Sequence, residues 1–478
     1  MPLSRVVESF DLATTRFDVV ILDEASQCDV MGLLALALAR EVVVVGDHEQ
    51  VSPYAVGISA DQVRGLIDEL LPDVPNRQLY DGKTSVYDLA QQSFGGTIRL
   101  LEHFRCVPDI IRFSNELCYG GEIRPLREAT SARVTPALVA RRVEDGQEDR
   151  GINEREAQEI VALVAAMCRL EEYEDCSFGV ISMIGTDQAL YIDSLLRSRL
   201  SATEYRRRQI LCGNASQFQG DERDVILLSM VNSPGKHPLA MRQRDDVRKV
   251  FNVAASRARD QLWVVHSLVP GRDLKGGDLR LRLISHAETG NAVAAPAERG
   301  ADPGRAASPG KRMLCERLDA AGYQLLHRFA IGDGEIELVV EGQGGKRVAV
   351  ECVGDRALPV DDVEEQLERQ LGLRRLGWQF VRVRAADLVT DGERAFAALQ
   401  RELAAAGVQP EAAARGKGRG RKKAPEPLHD KVVQRAAQIR ARWQVPSSAE
   451  LLARGGHGTD GADDDVPNGD DRPDDVDS

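Results

Sequence analysis

Two short stretches about two hundred residues apart hold residue types that can work on a phosphoanhydride. Val19-Val-Ile-Leu-Asp-Glu-Ala-Ser-Gln27 is an apolar run that ends abruptly in two carboxylates, which is how a buried parallel strand delivers acid to the edge of a sheet. A Mg²⁺ ion that bridges nucleotide phosphates needs such a carboxylate, and the neighbouring one can position the attacking water. The second stretch is Phe218-Gln-Gly-Asp-Glu-Arg-Asp-Val225. Around it stand Val42-Val-Val-Val-Gly-Asp-His-Glu-Gln50, Phe104-Arg-Cys106 and Asn252-Val-Ala-Ala-Ser-Arg-Ala-Arg259. Arginines suit the same chemistry, because phosphoryl transfer spreads negative charge over the γ-oxygens and a guanidinium can meet it.

The elements that position these residues are read from hydrophobic periodicity. Strands are expected at Phe17–Leu22 and Glu41–Val45, with a helix over Met31–Ala39 between them, the β-α-β rhythm of a parallel sheet. Residues 61–96 carry a helical pattern broken by Pro72 and Pro75, a connector. A second alternating series follows. Its strands are expected at Ile98–Glu102, Phe178–Met183, Gln209–Gly213, Val225–Val231 and Leu262–Ser267, and its helices at Pro108–Leu117, Asn153–Leu170, Gln188–Leu200 and Lys249–Arg259. Residues 288–310, rich in Ala, Gly and Pro, read as a linker. A third series has helices at Lys311–Ala321 and Asp362–Leu376, with strands at Leu325–Ile331, Glu335–Glu341, Arg347–Val353 and Gln379–Arg384. A basic patch, Arg415 to Lys423, and a short helix around Asp430–Trp443 precede a Gly/Asp/Pro-rich acidic end that is expected to be disordered.

Composition narrows the classes. The chain has 478 residues, enough for two or three cores, and a net charge of −13 that excludes a generally basic nucleic-acid coat. It leaves room for a local grip on phosphates by backbone amides, hydroxyls and a few arginines. Eight scattered cysteines with no C-x-x-C pair argue against a zinc site or a disulfide framework. The longest strongly apolar stretch, Met31 to Ala39, is too short for a bilayer. A soluble, cytoplasmic protein with no membrane partner is the expectation.

The ordered set of motifs resembles superfamily 1 DNA/RNA helicases related to the nonsense-mediated-decay helicase, over about residues 1–270. The resemblance implies ATP and Mg²⁺ as cofactors and DNA or RNA, as single strands, as partner. In that family Asp23 matches the Mg²⁺-coordinating acid and Glu24 the catalytic base, while Gln27 senses the nucleotide and Gln50 contacts the γ-phosphate. Arg105 and Arg257 match two arginines that reach the γ-phosphate from the second domain. Gly220 and Glu222 match nucleotide-binding positions, and Ser182, Gln188 and Gln219 positions on the nucleic-acid side. The implied fold is α/β: a partial first RecA-like domain (1–60) and a complete second one (97–287) of a P-loop helicase. No G-x-x-x-x-G-K-[ST] loop occurs in the sequence. We therefore expect the gene product to be longer, with that loop upstream of Met1.

Residues 311–407 resemble the restriction-endonuclease-like fold, in domains similar to the very-short-patch repair endonuclease. The carrying residues are Cys315-Glu-Arg317, Ile336-Glu-Leu-Val-Val340, Val348-Ala-Val-Glu-Cys-Val-Gly-Asp355, Arg369-Gln370 and Leu376-Gly-Trp378. The resemblance implies a Mg²⁺ site on Glu316, Glu337 and Glu351 that activates water against a phosphodiester. Two departures weaken that site: Glu337 stands where the family has Asp, and Val353 where it has another acid, with Asp355 two residues on. The tail, 408–478, is basic and then acidic. The main reading is an ATP-driven helicase or translocase with an appended endonuclease-like domain. The alternatives are a non-catalytic nucleic-acid- or partner-binding protein and a metal-dependent nuclease.

Overall fold

A computed structural model describes residues 3–52, 59–235, 239–290, 298–299, 309–331, 334–342, 345–354, 360–410 and 426–443. Most of the expected linker, the basic patch at 415–423, Asp355 and the acidic end lie outside the described residues. Among the described residues no helix is long and apolar enough to cross a membrane.

The first carboxylate pair sits on a two-stranded parallel sheet, β1 (Phe17–Leu22) and β2 (Ala39–Val44), joined through the short helix α1 (Gly32–Leu36). The helix is shorter than the Met31–Ala39 expected, because β2 already begins at Ala39. Both strands were expected to be buried. Instead Val19 is 46% and Ile21 68% exposed, since two strands and one short helix cannot cover both faces of a sheet. Two further helices follow, α2 (Ala60–Leu70) and α3 (Val86–Phe94). Each opens on a serine whose side chain accepts from the third helical amide while that residue's side chain accepts from the serine amide.

The strand expected over Ile98–Glu102 shrinks to β3 (Glu102–His103), and Ile98 and Leu100 stand 93% and 84% exposed. β3 is followed by α4 (Pro108–Cys118) and pairs in parallel with β4 (Arg124–Pro125). The central sheet then contains β5 (Leu138–Arg142), β6 (Phe178–Ser182), β7 (Leu211–Asn214), β8 (Arg223–Ser229) and β9 (Ala258–His266), in the order β5-β9-β8-β6-β7 with every pairing parallel. Helices α5 (Glu154–Met167), α6 (Asp187–Arg199), α7 (Asp245–Ala255) and α8 (Leu279–Thr289) surround it, and two apolar cores form, one on each face. The helix expected over Lys249–Arg259 ends four residues early: α7 stops at Ala255 and β9 starts at Ala258, so Arg257 sits in the tight turn between them.

A third, mixed sheet carries β10 (Gln324–Ile331), β11 (Gly334–Glu341), β12 (Arg347–Val353) and β13 (Phe380–Arg384), with the two-residue rung Glu298–Arg299 at its outer side. β12 and β13 run parallel, and the other neighbours antiparallel. Helices α9 (Pro309–Ala320), α10 (Val360–Arg375) and the unanticipated α11 (Gly392–Ala405) belong to this unit. The chain then returns: α12 (Leu428–Arg440) packs on α5 of the central unit. Its Val432, Ala436 and Ile439, spaced for one helical face, join the central core, while Arg440 pairs with Glu159 and Lys431 with Glu172 at 3.1 Å. That docking explains why α5 is buried nearly all round: it has the sheet on one side and α12 on the other.

One buried carboxyl fixes the C-terminal edge of the central sheet. Glu156, fully buried on α5, accepts from the Val231 amide (2.8 Å), Ser267 Oγ (2.8 Å), Ser229 Oγ (2.9 Å) and Asn153 Nδ2 (3.3 Å). Val231, a β-branched residue at φ 64, is held in that unfavourable conformation by this contact and by Asn153 Nδ2 on its carbonyl at 3.0 Å. Burial outweighs the four donors and raises the Glu156 pKa to about 7. A carboxyl raised in the folded state stabilises fully below its unfolded value of 4.5, and that contribution is lost as pH rises through about 7. We predict that in chemical denaturation at pH 5 to 8.5 the difference in stability between wild type and Glu156→Gln shifts steadily against wild type from pH 5 to about 7 and levels off above it. Taking the difference cancels the opposing titrations of His103 and His266, both lowered to about 4 by burial first. Parallel curves for the two proteins would contradict the assignment.

Candidate active site

Chain turns from the two-stranded and central sheets meet in one cleft. On the first side, the run of β1 breaks at Glu24, whose backbone is left-handed (φ 53, ψ 35) and opens a single turn of 3-10 helix, Ala25–Gln27. Asp23 Oδ1 accepts from the Glu24 amide and Gln27 Nε2 donates to Glu24 Oε2, both at 2.9 Å. Among the described residues no cation pairs with Asp23 or Glu24. The turn after β2 lies against this one. Gly46 permits the approach, since a Cβ there would sit 2.7 Å from Tyr87 Cδ2 and 3.0 Å from the Ser26 amide nitrogen. Asp47 then accepts from Gln50 Nε2 (3.1 Å), which leaves Gln50 Oε1 buried and without a partner.

On the opposite side stand the arginines. Arg105 follows β3 and donates through Nε to Glu222 Oε2, and Arg259 pairs with Glu222 Oε1 at 3.5 Å. Gly220, at φ 76, makes the turn that presents Glu222. Arg257 is 3% exposed and, among the described residues, its guanidinium bonds to its own turn, Nε to the Val253 carbonyl (3.1 Å) and Nη2 to Ser256 Oγ (3.3 Å). No carboxylate among the described residues pairs with it. Burial, and then the neighbouring Arg105, push its pKa down to about 10, while the charge of Glu24 across the cleft acts the other way. His103 is lowered to about 4 by burial and by the same two arginines, so it stays neutral and its Nε2 accepts from the Cys106 amide at 2.9 Å.

Direct bonds cross between the two sides. Asn252 Nδ2 donates to the Glu49 carbonyl and to Tyr119 Oη, both at 2.9 Å, and Tyr119 Oη donates to Asp47 Oδ2 at 2.6 Å. Arg248 pairs with Glu49 at 2.6 Å, Lys249 Nζ donates to Ser52 Oγ at 2.8 Å, and Gln219 Nε2 to the Val51 carbonyl at 3.3 Å. Tyr119 escapes sequence reading altogether, because a lone tyrosine at a helix end has no spacing that betrays it.

Two residues expected on the nucleic-acid side turn inward. Ser182 is 1% exposed, and its Oγ donates to the Ile184 carbonyl at 2.6 Å. Gln188 is fully buried, bridging the Asn153 amide and carbonyl to Ser229 Oγ at 2.9–3.1 Å. Both spend their polar atoms on holding the sheet edge, so neither side chain is presented to a ligand here.

The third sheet departs from the expected metal site. Glu351 accepts from Arg382 Nε (3.0 Å) and from Gln370, and Glu337 pairs with Lys311. Strand register sets the first contact, since Glu351 and Arg382 are direct neighbours in the parallel pair β12/β13. Glu316 is exposed on α9, and Val353 is exposed where an acid was expected. Among the described residues no group of three or more His, Cys, Asp or Glu is placed to hold a metal ion. Glu316, Glu337 and Glu351 are thus not gathered, because the latter two are each already matched to a cation.

Comparison with known proteins places these observations. Residues 83–268 match a family model described as "AAA domain", and residues 311–403 one described as REase_MTES_1575. The chain is 25% identical over 262 residues to the uncharacterized ATP-dependent helicase MG140 of Mycoplasma genitalium, covering 52% of this chain and 23% of that protein. It is 26% identical over 284 residues to the mouse 5'-3' DNA helicase ZGRF1 (57% and 14%), and 25% identical over 301 residues to the helicase sen1 of Schizosaccharomyces pombe (59% and 16%). The chain spans less than a quarter of the length of each of these relatives. It contains a superfamily 1 helicase-like region, an α/β P-loop-like unit built on the five-stranded parallel sheet.

The full chain, incubated with nicked, mismatched or single-stranded DNA in Mg²⁺ or Mn²⁺, is expected to give no cleavage above background. Val353→Asp alone is expected to restore none, because Arg382 and Lys311 still neutralise the two strand glutamates. Cleavage that disappears in Glu351→Ala would contradict this.

Proposed function

We propose that this chain is the arginine-bearing portion of a superfamily 1 ATP-driven motor that unwinds or moves along DNA or RNA, gripping it as single strands. One observation carries the reading: Arg257 is buried with no carboxylate partner among the described residues, beside Arg105 and within electrostatic reach of Glu24. A buried guanidinium across from Glu24, with Asp23 next to Glu24 and no cation on either carboxylate among the described residues, is the complement of a metal-bound polyphosphate. The donor set fits Mg²⁺·ATP. Asp23 would hold the ion, which neutralises phosphate charge when bound. Glu24, oriented by Gln27, takes the proton of the attacking water, and Arg105 and Arg257 meet the charge that develops on the γ-oxygens. Gly220 and Glu222 shape the turn beside the nucleotide, and Glu222 holds Arg105 in place. Gln219, bonded to Val51 across the cleft, ties that turn to the first sheet. The helicase names of the relatives support both the ATP and the nucleic-acid parts of this reading.

For residues 311–403 we favour a binding or structural role over metal-dependent cleavage. The pairing of Glu337 with Lys311 and of Glu351 with Arg382 supports it.

Phosphate release stimulated by single-stranded DNA or RNA tests the motor. The 478 residues contain no loop of the G-x-x-x-x-G-K-[ST] type, and the chain alone is expected to show no stimulated release. A polypeptide that joins it to such a loop is expected to turn over, and to lose roughly 10³-fold or more in Arg257→Ala and comparably in Glu24→Gln. Turnover in the joined polypeptide that is indifferent to both substitutions would overturn the reading.

A further inference from the structure

Residues 124–131 touch two things at once. On one side, Arg127 Nη1 donates to the carbonyls of Arg105 (2.9 Å) and Arg259 (2.8 Å), the two arginines that share Glu222, and Nη2 bonds Asp260, which is 1% exposed. The backbone is zipped to the same cluster, since the Arg124 amide donates to the Leu101 carbonyl (2.8 Å) and the Leu126 amide to that of His103 (2.9 Å). On the other side, the segment enters the third sheet. Leu126 is buried in a core otherwise formed wholly by residues of that unit, among them Phe329 and Trp378. Trp378 Nε1 donates to the Leu126 carbonyl at 3.4 Å, the Glu128 amide to the Leu376 carbonyl at 3.4 Å, and Arg347 pairs with the buried Glu128 at 3.8 Å. Ser131 lies so close to Gly377 that a Cβ there would be 2.3 Å from Ser131 Cβ. Arg127 Nε also holds Ser131 Oγ, at 3.2 Å.

We propose that residues 124–131 are a coupling element, through which the seating of the third sheet depends on the state of the Arg105–Arg257 cluster, and the reverse. The physical reason is stiffness. Arg127 has a guanidinium whose donors are committed to the Arg105 and Arg259 backbone and to a buried acid, while its sequence neighbours on both sides are buried in the other unit. A shift of the arginines toward a ligand moves the carbonyls that Arg127 holds, and Leu126 and Glu128 move with them. Linkage makes the effect reciprocal: seating of the third sheet changes affinity at the cluster by the same factor as a ligand at the cluster changes the seating equilibrium. The choice of a polyphosphate as the ligand rests on the function proposed above, whereas the mechanical connection does not.

The chain holds three tryptophans, Trp263, Trp378 and Trp443. The 478-residue chain labelled with 5-fluorotryptophan therefore gives three ¹⁹F resonances, assignable by single Trp→Phe variants. The probe is inorganic tripolyphosphate with Mg²⁺, its binding measured separately by calorimetry. Saturation is expected to move the Trp378 resonance and leave Trp263, deep in the central sheet, in place. Leu126→Ala is expected to change the dissociation constant about five-fold or more. The pair Arg127→Met with Asp260→Asn, which removes both charges so that none is left buried alone, is expected to abolish the Trp378 response. Trp263 reports in each variant that the central sheet is folded. Binding with a static Trp378 and an unchanged constant in Leu126→Ala would overturn the coupling. Absence of binding would refute the polyphosphate reading instead. The ligand-free spectra then decide: a Trp378 resonance moved by the Arg127/Asp260 pair supports the coupling, and one left in place overturns it.

Discussion

Placing a guanidinium inside a protein without an anion costs several kcal/mol, and among the described residues Arg257 has no carboxylate partner while its neighbours have one. Arg105 and Arg259 share Glu222, and Arg127 has Asp260. The partnered arginines make a frame, and the unpartnered one is held by the carbonyl and hydroxyl of its own turn. That turn exists because α7 stops at Ala255 and β9 begins at Ala258. A helix continued to Arg259 would rotate the guanidinium away. Across the cleft, the left-handed Glu24 backbone follows β1, and among the described residues no cation pairs with Asp23 or Glu24. Each side lacks what the other side of a metal–phosphate group supplies.

The bonds that bring the sides together use the same turns. Asp47, Tyr119 and Asn252 form one line of hydrogen bonds, and Glu49 with Arg248 a second contact. Assembly of the cleft and contact between the sheets are therefore one event. Asn252 serves both, through its amide and through its place on the helix that ends just before Arg257. The third sheet joins by a different route, the segment 124–131, while α12 returns the chain to the back of α5. The mixed sheet is thus anchored beside the arginine cluster and bracketed by contacts to the central unit.

Much of the central sheet is legible as runs of Val, Ile and Leu, because parallel strands covered on both faces need no polar alternation. Strands β6, β8 and β9 all fall on such runs. β5 is hidden because Leu138-Val-Ala-Arg-Arg142 ends in two arginines and occupies a sheet edge. The segment at Ile98 has strand composition and no strand neighbour, so composition misleads there. Among the proposed site residues, those at chain breaks stand out in the sequence: Asp23 and Glu24 end an apolar run, and Arg257 lies in a dense motif. Ser182 and Gln188 do not, since whether a polar residue at a strand end or in the first turn of the next helix faces out or braces the sheet edge depends on what packs above it. Glu351 beside Arg382 depends on strand register, and Tyr119 on the packing of two units. Neither leaves a pattern along one chain.

The central claim is that Arg257 is left without a carboxylate in order to meet a γ-phosphate together with Arg105. The most direct measurement is a crystal structure of this chain joined to a phosphate loop, with Mg²⁺, ADP and a fluoroaluminate mimic of the transferring phosphoryl group. The account predicts both guanidinium groups within hydrogen-bonding distance of the mimic's fluorides and Asp23 beside the ion. A mimic bound in that cleft while Arg257 still points to the Val253 carbonyl would contradict it.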